Sequence, residues 1–325
     1  MSATQQTAVI TGITGQDGAY LTKLLLSKNY KVVGTTRTYN PYALWRLEYL
    51  GVLDPIEIVT CNTGDPMSAM SLLLKHKPTE IYNLAAQSSV SLSFDEPAST
   101  LSYNIRSVVN ILESIRILDP SIKLYQASTS EMFGNAAQLP VNESTPFDPI
   151  NPYATSKAAA HWTVRNYREA YDLYCCSGIL FNHESFLRSP RFFTKQIIQN
   201  AIDIAAGRKD KLLVGNIDVR RDFGCAKEYV VAMWLMLQQE KADDFVVCSG
   251  KSVSLREVTE TILDCLEIPH DVIQVDPKLY RPSETRDIYG DNKKARTQLN
   301  WHYDKPFSEV IREIVTEELA QAKRD

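Results

Sequence analysis

Thr129, Ser130, Glu131, Tyr153 and Lys157 are the residues of this chain whose types and spacing could together carry out acid–base chemistry. Lys123-Leu-Tyr-Gln-Ala127 reads as a short buried strand. The side chains of Thr129, Ser130 and Glu131 should therefore emerge at its carboxyl end, where open α/β sheets bind ligands. Tyr153 and Lys157 stand four apart on a segment that continues as Ala158-Ala-Ala-His-Trp162, a good helix, so phenol and ammonium share one face. An ammonium beside a phenol favours the phenolate and lowers its pKa, which makes Tyr153 a base for a hydroxyl proton. By itself such a pair fits better a surface tyrosine beside a solvated lysine, so the weight falls on the elements that would position it.

Those elements begin at Thr7-Ala-Val-Ile-Thr11, a strand-like run followed by Gly12-Ile-Thr-Gly15-Gln16-Asp17-Gly18 and a leucine-faced helix from Ala19 to Leu26. Strand, glycine turn and helix in that order form a dinucleotide-binding context, with the helix N-terminus facing a pyrophosphate. The G-x-x-G-x-x-G spacing resembles that of the extended short-chain dehydrogenase/reductases. The second strand, Lys31-Val-Val-Gly34, runs into Thr35-Thr-Arg37-Thr38. An acid there would hold a ribose diol and an arginine a 2′-phosphate, so Arg37 favours NADP, with NAD still open. A third strand, Ile56 to Val59, leads to Asp65, which either meets an adenine amino group or stands in a plain loop. A fourth, Glu80 to Ala86, has small residues at its end, as needed where the chain passes close under a cofactor. Ser107 to Leu118 reads as an amphipathic helix, and Leu173 to Ile179 resumes the sheet.

The alternation predicts an α/β fold: a doubly wound parallel Rossmann-like sheet with a second, smaller α/β substrate domain. The expected division is a dinucleotide-binding domain over 1–180 with a return segment near 212–250, and a discontinuous substrate domain mainly over 181–325. The 325 residues carry 35 Lys plus Arg against 39 Asp plus Glu, a net charge of -4, which gives no nucleic-acid footprint. No apolar run approaches a membrane span and no leader pattern opens the chain, so a cytoplasmic location is expected. The six cysteines lack C-x-x-C spacing and the five histidines are scattered, so buried free thiols and no structural metal are expected.

With these positions in register, the chain resembles the extended short-chain dehydrogenase/reductases acting on nucleotide sugars, and within them the GDP-mannose 4,6-dehydratase family. The resemblance rests on Thr11-Gly-Ile-Thr-Gly-Gln-Asp-Gly18, Asn83-Leu-Ala-Ala-Gln-Ser88 and Gln126-Ala-Ser-Thr-Ser-Glu131. The discriminating motifs are Gly178-Ile-Leu-Phe-Asn-His-Glu-Ser185, Arg221-Asp-Phe-Gly224 and Tyr280-Arg-Pro-Ser-Glu284. It implies a redox-neutral lyase with NADP, in which a GDP-hexose, GDP-mannose above all, is oxidised at C4, loses water across C5 and C6, and is reduced at C6. Catalytic roles are implied for Thr129, Glu131, Tyr153 and Lys157. Cofactor contacts are implied for Gly12, Gly15, Gln16, Asp17, Gly18, Arg37, Asp65, Leu84, Ala85, Tyr153 and Lys157, and substrate contacts for Ser88, Ser130, Asn182, Lys195, Arg221, Arg281 and Glu284. A homodimer or homotetramer is implied as well.

The chain departs from the family pattern at Thr38, where a second arginine is usual, and at Phe186-Leu-Arg188-Ser-Pro and Gln196, the latter replacing a usual lysine. These departures keep open a C4 dehydrogenase, reductase or epimerase acting on a GDP-sugar, GDP-manno-heptose included. A non-enzymatic dinucleotide-binding regulator is a third reading, disfavoured because it would need none of the four catalytic residues.

Overall fold

The structure, a computed structural model, describes residues 5–322. Its twelve strands are β1 Thr7–Thr11, β2 Lys31–Thr36, β3 Glu57–Thr60, β4 Glu80–Asn83, β5 Lys123–Thr129, β6 Cys175–Leu180, β7 Asn182–Glu184, β8 Leu212–Val214, β9 Arg220–Cys225, β10 Phe245–Val247, β11 Ser252–Ser254 and β12 Ile273–Val275. The helices are α1 Gln16–Ser27, α2 Trp45–Tyr49, α3 Pro66–His76, α4 Val90–Asp95, α5 Pro97–Leu118, α6 Pro152–Tyr171, α7 Phe193–Ala205, α8 Ala226–Leu237, α9 Leu255–Cys265, α10 Lys293–Gln298 and α11 Phe307–Ala322.

Alternation along the strands explains why the large sheet is covered on both faces. Ala8, Ile10, Tyr82, Tyr125 and Cys176 point into one core with helices α1 and α8, while Val9, Ile81, Leu124 and Cys175 point into another with α3, α5 and α6. The seven strands lie in the order β10-β6-β5-β4-β1-β2-β3, all parallel, so the sheet is Rossmann-like and doubly wound. The order reverses between β1 and β4, which opens a crevice at their carboxyl ends.

Thr11 shapes that crevice. Its hydroxyl donates to Asn83 Oδ1 at 2.6 Å and accepts from the backbone N–H groups of Leu84 and Ala85 at 3.1 Å. Those two amides are thereby removed from the ladder, and β4 stops at Asn83 rather than running on to Ala86.

The smaller part is built from a three-stranded sheet, β11-β9-β7, and the pair β12-β8. Strand β8 pairs with β12 and β9 with β7 and β11, and the chain then goes on through α8 to β10 of the large sheet. Little chain separates the two parts. Phe181 alone lies between β6 and β7, and β9 passes directly into α8.

Candidate active site

Two glycines make the floor of the crevice possible. Gly12 has φ +70°, and a Cβ there would stand 3.0 Å from the Ala85 backbone. At Gly18 a Cβ would meet the Ile13 backbone at 2.6 Å, so α1 could not pack so closely on the turn that precedes it. Gly15 is the N-cap of α1 and offers no side chain, leaving the first-turn N–H groups to an anion. Asp17, an acid in that first turn, is drawn off by His183, whose Nε2 lies 2.9 Å from Asp17 Oδ2. Burial opposes the charge on both, yet the pairing wins: the Asp17 carboxyl is held below its usual range and the His183 imidazole above. Gln16 spans the same junction, donating to the His183 carbonyl at 3.1 Å and accepting from Ser185 Oγ at 2.7 Å. This glycine cradle fits the pyrophosphate of a dinucleotide.

The reactive groups come from β5 and α6. Thr129 ends β5 and caps the 3-10 turn Ser130–Phe133, accepting from the Glu131 N–H at 3.3 Å. Asn151 is the N-cap of α6, its Oδ1 accepting from the Ala154 N–H at 2.8 Å, and its Nδ2 donates to Glu131 Oε2 at 3.1 Å. One amide thus sets both the carboxylate and the start of the helix that carries Tyr153 and Lys157. Lys157 Nζ donates to the Ala127 carbonyl.

Both Tyr153 and Lys157 are buried, and burial acts on both groups. Burial pushes Tyr153 up to about 12, a hydrogen bond with Thr129 opposes this, and the Glu131 charge adds to it. Burial likewise pulls the Lys157 amine down to about 8, and its Nζ donates to the Ala127 carbonyl. The unfolded chain therefore holds more protons at this lysine between pH 8 and 10.5, and its contribution to stability rises with pH over that window. The stability difference between wild type and Lys157→Met, read from urea melts, should grow by on the order of 3 kcal/mol from pH 8 to 10.5. A flat difference would refute the buried-amine account.

The glycine turn, Gln16, Asp17, His183, Thr129, Glu131, Tyr153 and Lys157 line one cavity of about 720 Å³, together with Leu84, Ser88, Asn182, Arg221, Arg281 and Glu284. Arg221 is aimed by its Nη1, which donates to the carbonyls of Arg220 and Thr285 at 2.8 and 2.7 Å. Arg37 and Asp65 line a second cavity of about 340 Å³ at the ends of β2 and β3. Among the described residues no cluster of His, Cys, Asp or Glu is arranged to hold a metal ion, and no helix is long and apolar enough to cross a membrane.

The sequence matches the family described as GDP-mannose 4,6 dehydratase over residues 9–314. The chain belongs to that family. It is 40% identical over 350 residues to "GDP-mannose 4,6 dehydratase" of Dictyostelium discoideum, covering 99% of this chain and 98% of that one. It is 43% identical over 330 residues to "GDP-mannose 4,6 dehydratase 1" of Arabidopsis thaliana, covering 98% and 91%. A crystal structure of dTDP-glucose 4,6-dehydratase from Streptomyces venezuelae, with NAD and TYD bound, superposes with a TM-score of 0.87 at 19% identity over 98% of each chain, a likeness of fold.

Three residues that resemblance to this dehydratase family assigns to ligands lie elsewhere. Lys195 is buried on α7, where its Nζ donates to the Phe186 carbonyl at 2.7 Å and pairs with Glu318 of α11; its neighbours Thr194 and Gln196 face the cavity instead. Ser130 is turned inward because residues three apart eclipse in a 3-10 turn, which places it beside buried Phe133. Ala85 lies behind Gly12 and supplies backbone clearance.

Lys195→Met should therefore cost about 1–3 kcal/mol of stability. It should leave the KM for a nucleotide sugar within about twofold; a large rise in KM with an unchanged melting temperature would restore the ligand role.

Several residues that shape the cavity have no site role in the sequence reading. Asn151 was legible as an N-cap before Pro152. His183 sits inside a quoted motif. Arg188 is ion-paired to Glu184 at 3.2 Å, and Arg46 clamps the carbonyls of Leu187 and Thr14 at 2.6 and 3.1 Å, a placement only the tertiary fold decides.

Proposed function

We propose that this protein is a GDP-mannose 4,6-dehydratase that holds NADP and releases GDP-4-keto-6-deoxymannose and water. The observation that carries the reading is Glu131, fixed by Asn151 in the cavity that also holds Tyr153, Thr129 and Lys157. A plain C4 reductase or epimerase has no use for this second acid–base group. When bound, the nicotinamide takes a hydride from C4 and returns it at C6, so no net oxidant is needed.

The chain's own groups do the rest. Tyr153, bonded to Thr129, takes the 4-hydroxyl proton as C4 becomes a ketone. The ketone acidifies C5, and Glu131 removes that proton and passes it to the departing C6 hydroxyl, which leaves as water. Tyr153 then returns its proton at C5. Lys157 stands one helical turn beyond Tyr153 and binds the ribose, while Asn182, Arg221, Arg281 and Glu284 hold the nucleotide diphosphate and its ribose.

NADP is chosen over NAD because Arg37 stands where a diol-binding acid would. Asp65, the nearby acid, has Oδ2 committed to the Ser68 N–H and hydroxyl at 2.8 and 2.7 Å. The relatives named GDP-mannose 4,6 dehydratase support the choice of sugar. The reading carries with it a cytoplasmic homodimer or homotetramer, which light scattering tests.

The deciding experiment is incubation with GDP-mannose followed by mass spectrometry of the nucleotide sugar. Loss of one water without net cofactor consumption is expected. An unchanged mass with NADP and NAD each supplied would overturn the reading.

A further inference from the structure

The second cavity has a wall that the glycine fingerprint does not provide. Helix α5 presents Ser99, Ser102, Tyr103 and Arg106 to it, residues spaced at i, i+3, i+4 and i+7 and therefore on one face. Arg37 enters from the end of β2, its guanidinium 5.0 Å above the Tyr103 ring, and the Tyr103 hydroxyl is 3.3 Å from Thr63 Oγ1. Arg106 is placed by a hydrogen bond from Nη2 to the Gly64 carbonyl at 3.2 Å. Two arginines from distant parts of the chain thus border one cavity of about 340 Å³, whose lining also includes Ser99, Ser102 and Asp65.

We propose that Arg106 is a specificity-determining residue for the cofactor, forming with Arg37 a two-sided clamp on the 2′-phosphate of an adenine dinucleotide. This rests on the reading of the crevice as a dinucleotide site. A phosphomonoester dianion has three terminal oxygens, more than one fork can satisfy, and a second guanidinium balances its second charge. Arg37 has no cationic neighbour in sequence, since Thr38 follows it; α5 supplies that neighbour through space. Ser99 and Ser102 are placed to donate to the remaining oxygen. The Arg37–Tyr103 stack keeps one side of the clamp in place before phosphate arrives.

Calorimetric titration of the full-length protein with 2′,5′-ADP, 3′,5′-ADP and 5′-AMP tests this without turnover. Wild type should prefer 2′,5′-ADP over both others. Arg106→Ala and Arg37→Ala should each weaken 2′,5′-ADP by about tenfold to a hundredfold and leave 5′-AMP unchanged. Arg106→Lys should recover part of the loss, and equal melting temperatures would establish that the variants are folded.

A preference that survives Arg106→Ala but is lost in Arg37→Ala overturns the clamp. So does equal binding of 2′,5′-ADP and 3′,5′-ADP. A protein with the expected preference that fails to dehydrate GDP-mannose would sink the reaction and leave the clamp standing; dehydration without the preference would do the converse.

Discussion

Glu131→Gln should stop water loss from GDP-mannose while leaving the first oxidation intact. The amide keeps the size of the carboxylate and can still bond to Asn151, so the change removes a base without removing a shape. Elimination then lacks both the group that takes the C5 proton and the acid that helps the C6 hydroxyl depart. A loss of about 10² to 10⁴ in kcat follows if the two roles together are worth what one positioned acid–base group commonly is. Tyr153, Thr129 and Lys157 remain, so C4 should still be oxidised, and reduced nicotinamide should build up in a single turnover with no deoxy sugar formed. Normal dehydration by this variant would show that Glu131 only supports the turn that carries it.

Tyr153→Phe should fail earlier. Without the phenol nothing in the cavity takes the 4-hydroxyl proton, because the Thr129 hydroxyl is far too weak an acid to serve as its conjugate base. Both reduced nicotinamide and product should fall by about 10² to 10⁴. The phenol sits near 12 by burial, so its ionisation is uphill at neutral pH and must be driven within the loaded site. Accumulation of reduced cofactor in Glu131→Gln and its absence in Tyr153→Phe would separate the two half-reactions. Equal accumulation in both would overturn the assignment of Tyr153 as the first base.

The parts legible in the sequence are those where backbone geometry or a repeat period leaves a mark. The glycine turn was readable because only glycine tolerates the closeness of Ala85 to Gly12 and of Ile13 to Gly18. The Tyr153–Lys157 face was readable from the four-residue spacing. Helix α5 was readable only from Ser107 onward, though it begins at Pro97, because its first half buries Thr100 and Asn104 rather than apolar groups. Asn104 accepts from the Gln87 N–H at 2.8 Å and donates to Ser156 Oγ at 2.9 Å, a polar weld that hydrophobic periodicity does not register. The burial of Lys195 was hidden for a similar reason: its partner Glu318 lies on a distant helix. The phenol's raised pKa depends on burial, which spacing does not report.

The short passages between the two parts of the molecule bear on how the two sides of the cleft are joined. Strand β6 becomes β7 across Phe181, β9 becomes α8 with no residue between, and only residues 248–251 join β10 to β11. A hinge is a few loop or element-terminal residues that absorb large changes in φ and ψ, and outside regular structure these passages offer only Phe181 and residues 248–251. Bending between the two parts through these passages would have to fall on Phe181, the Cys225–Ala226 junction and residues 248–251. Asn182 on β7 and Arg221 on β9 are thereby tethered to the large sheet that carries Thr129 by one irregular residue on one side and by none before α8 on the other.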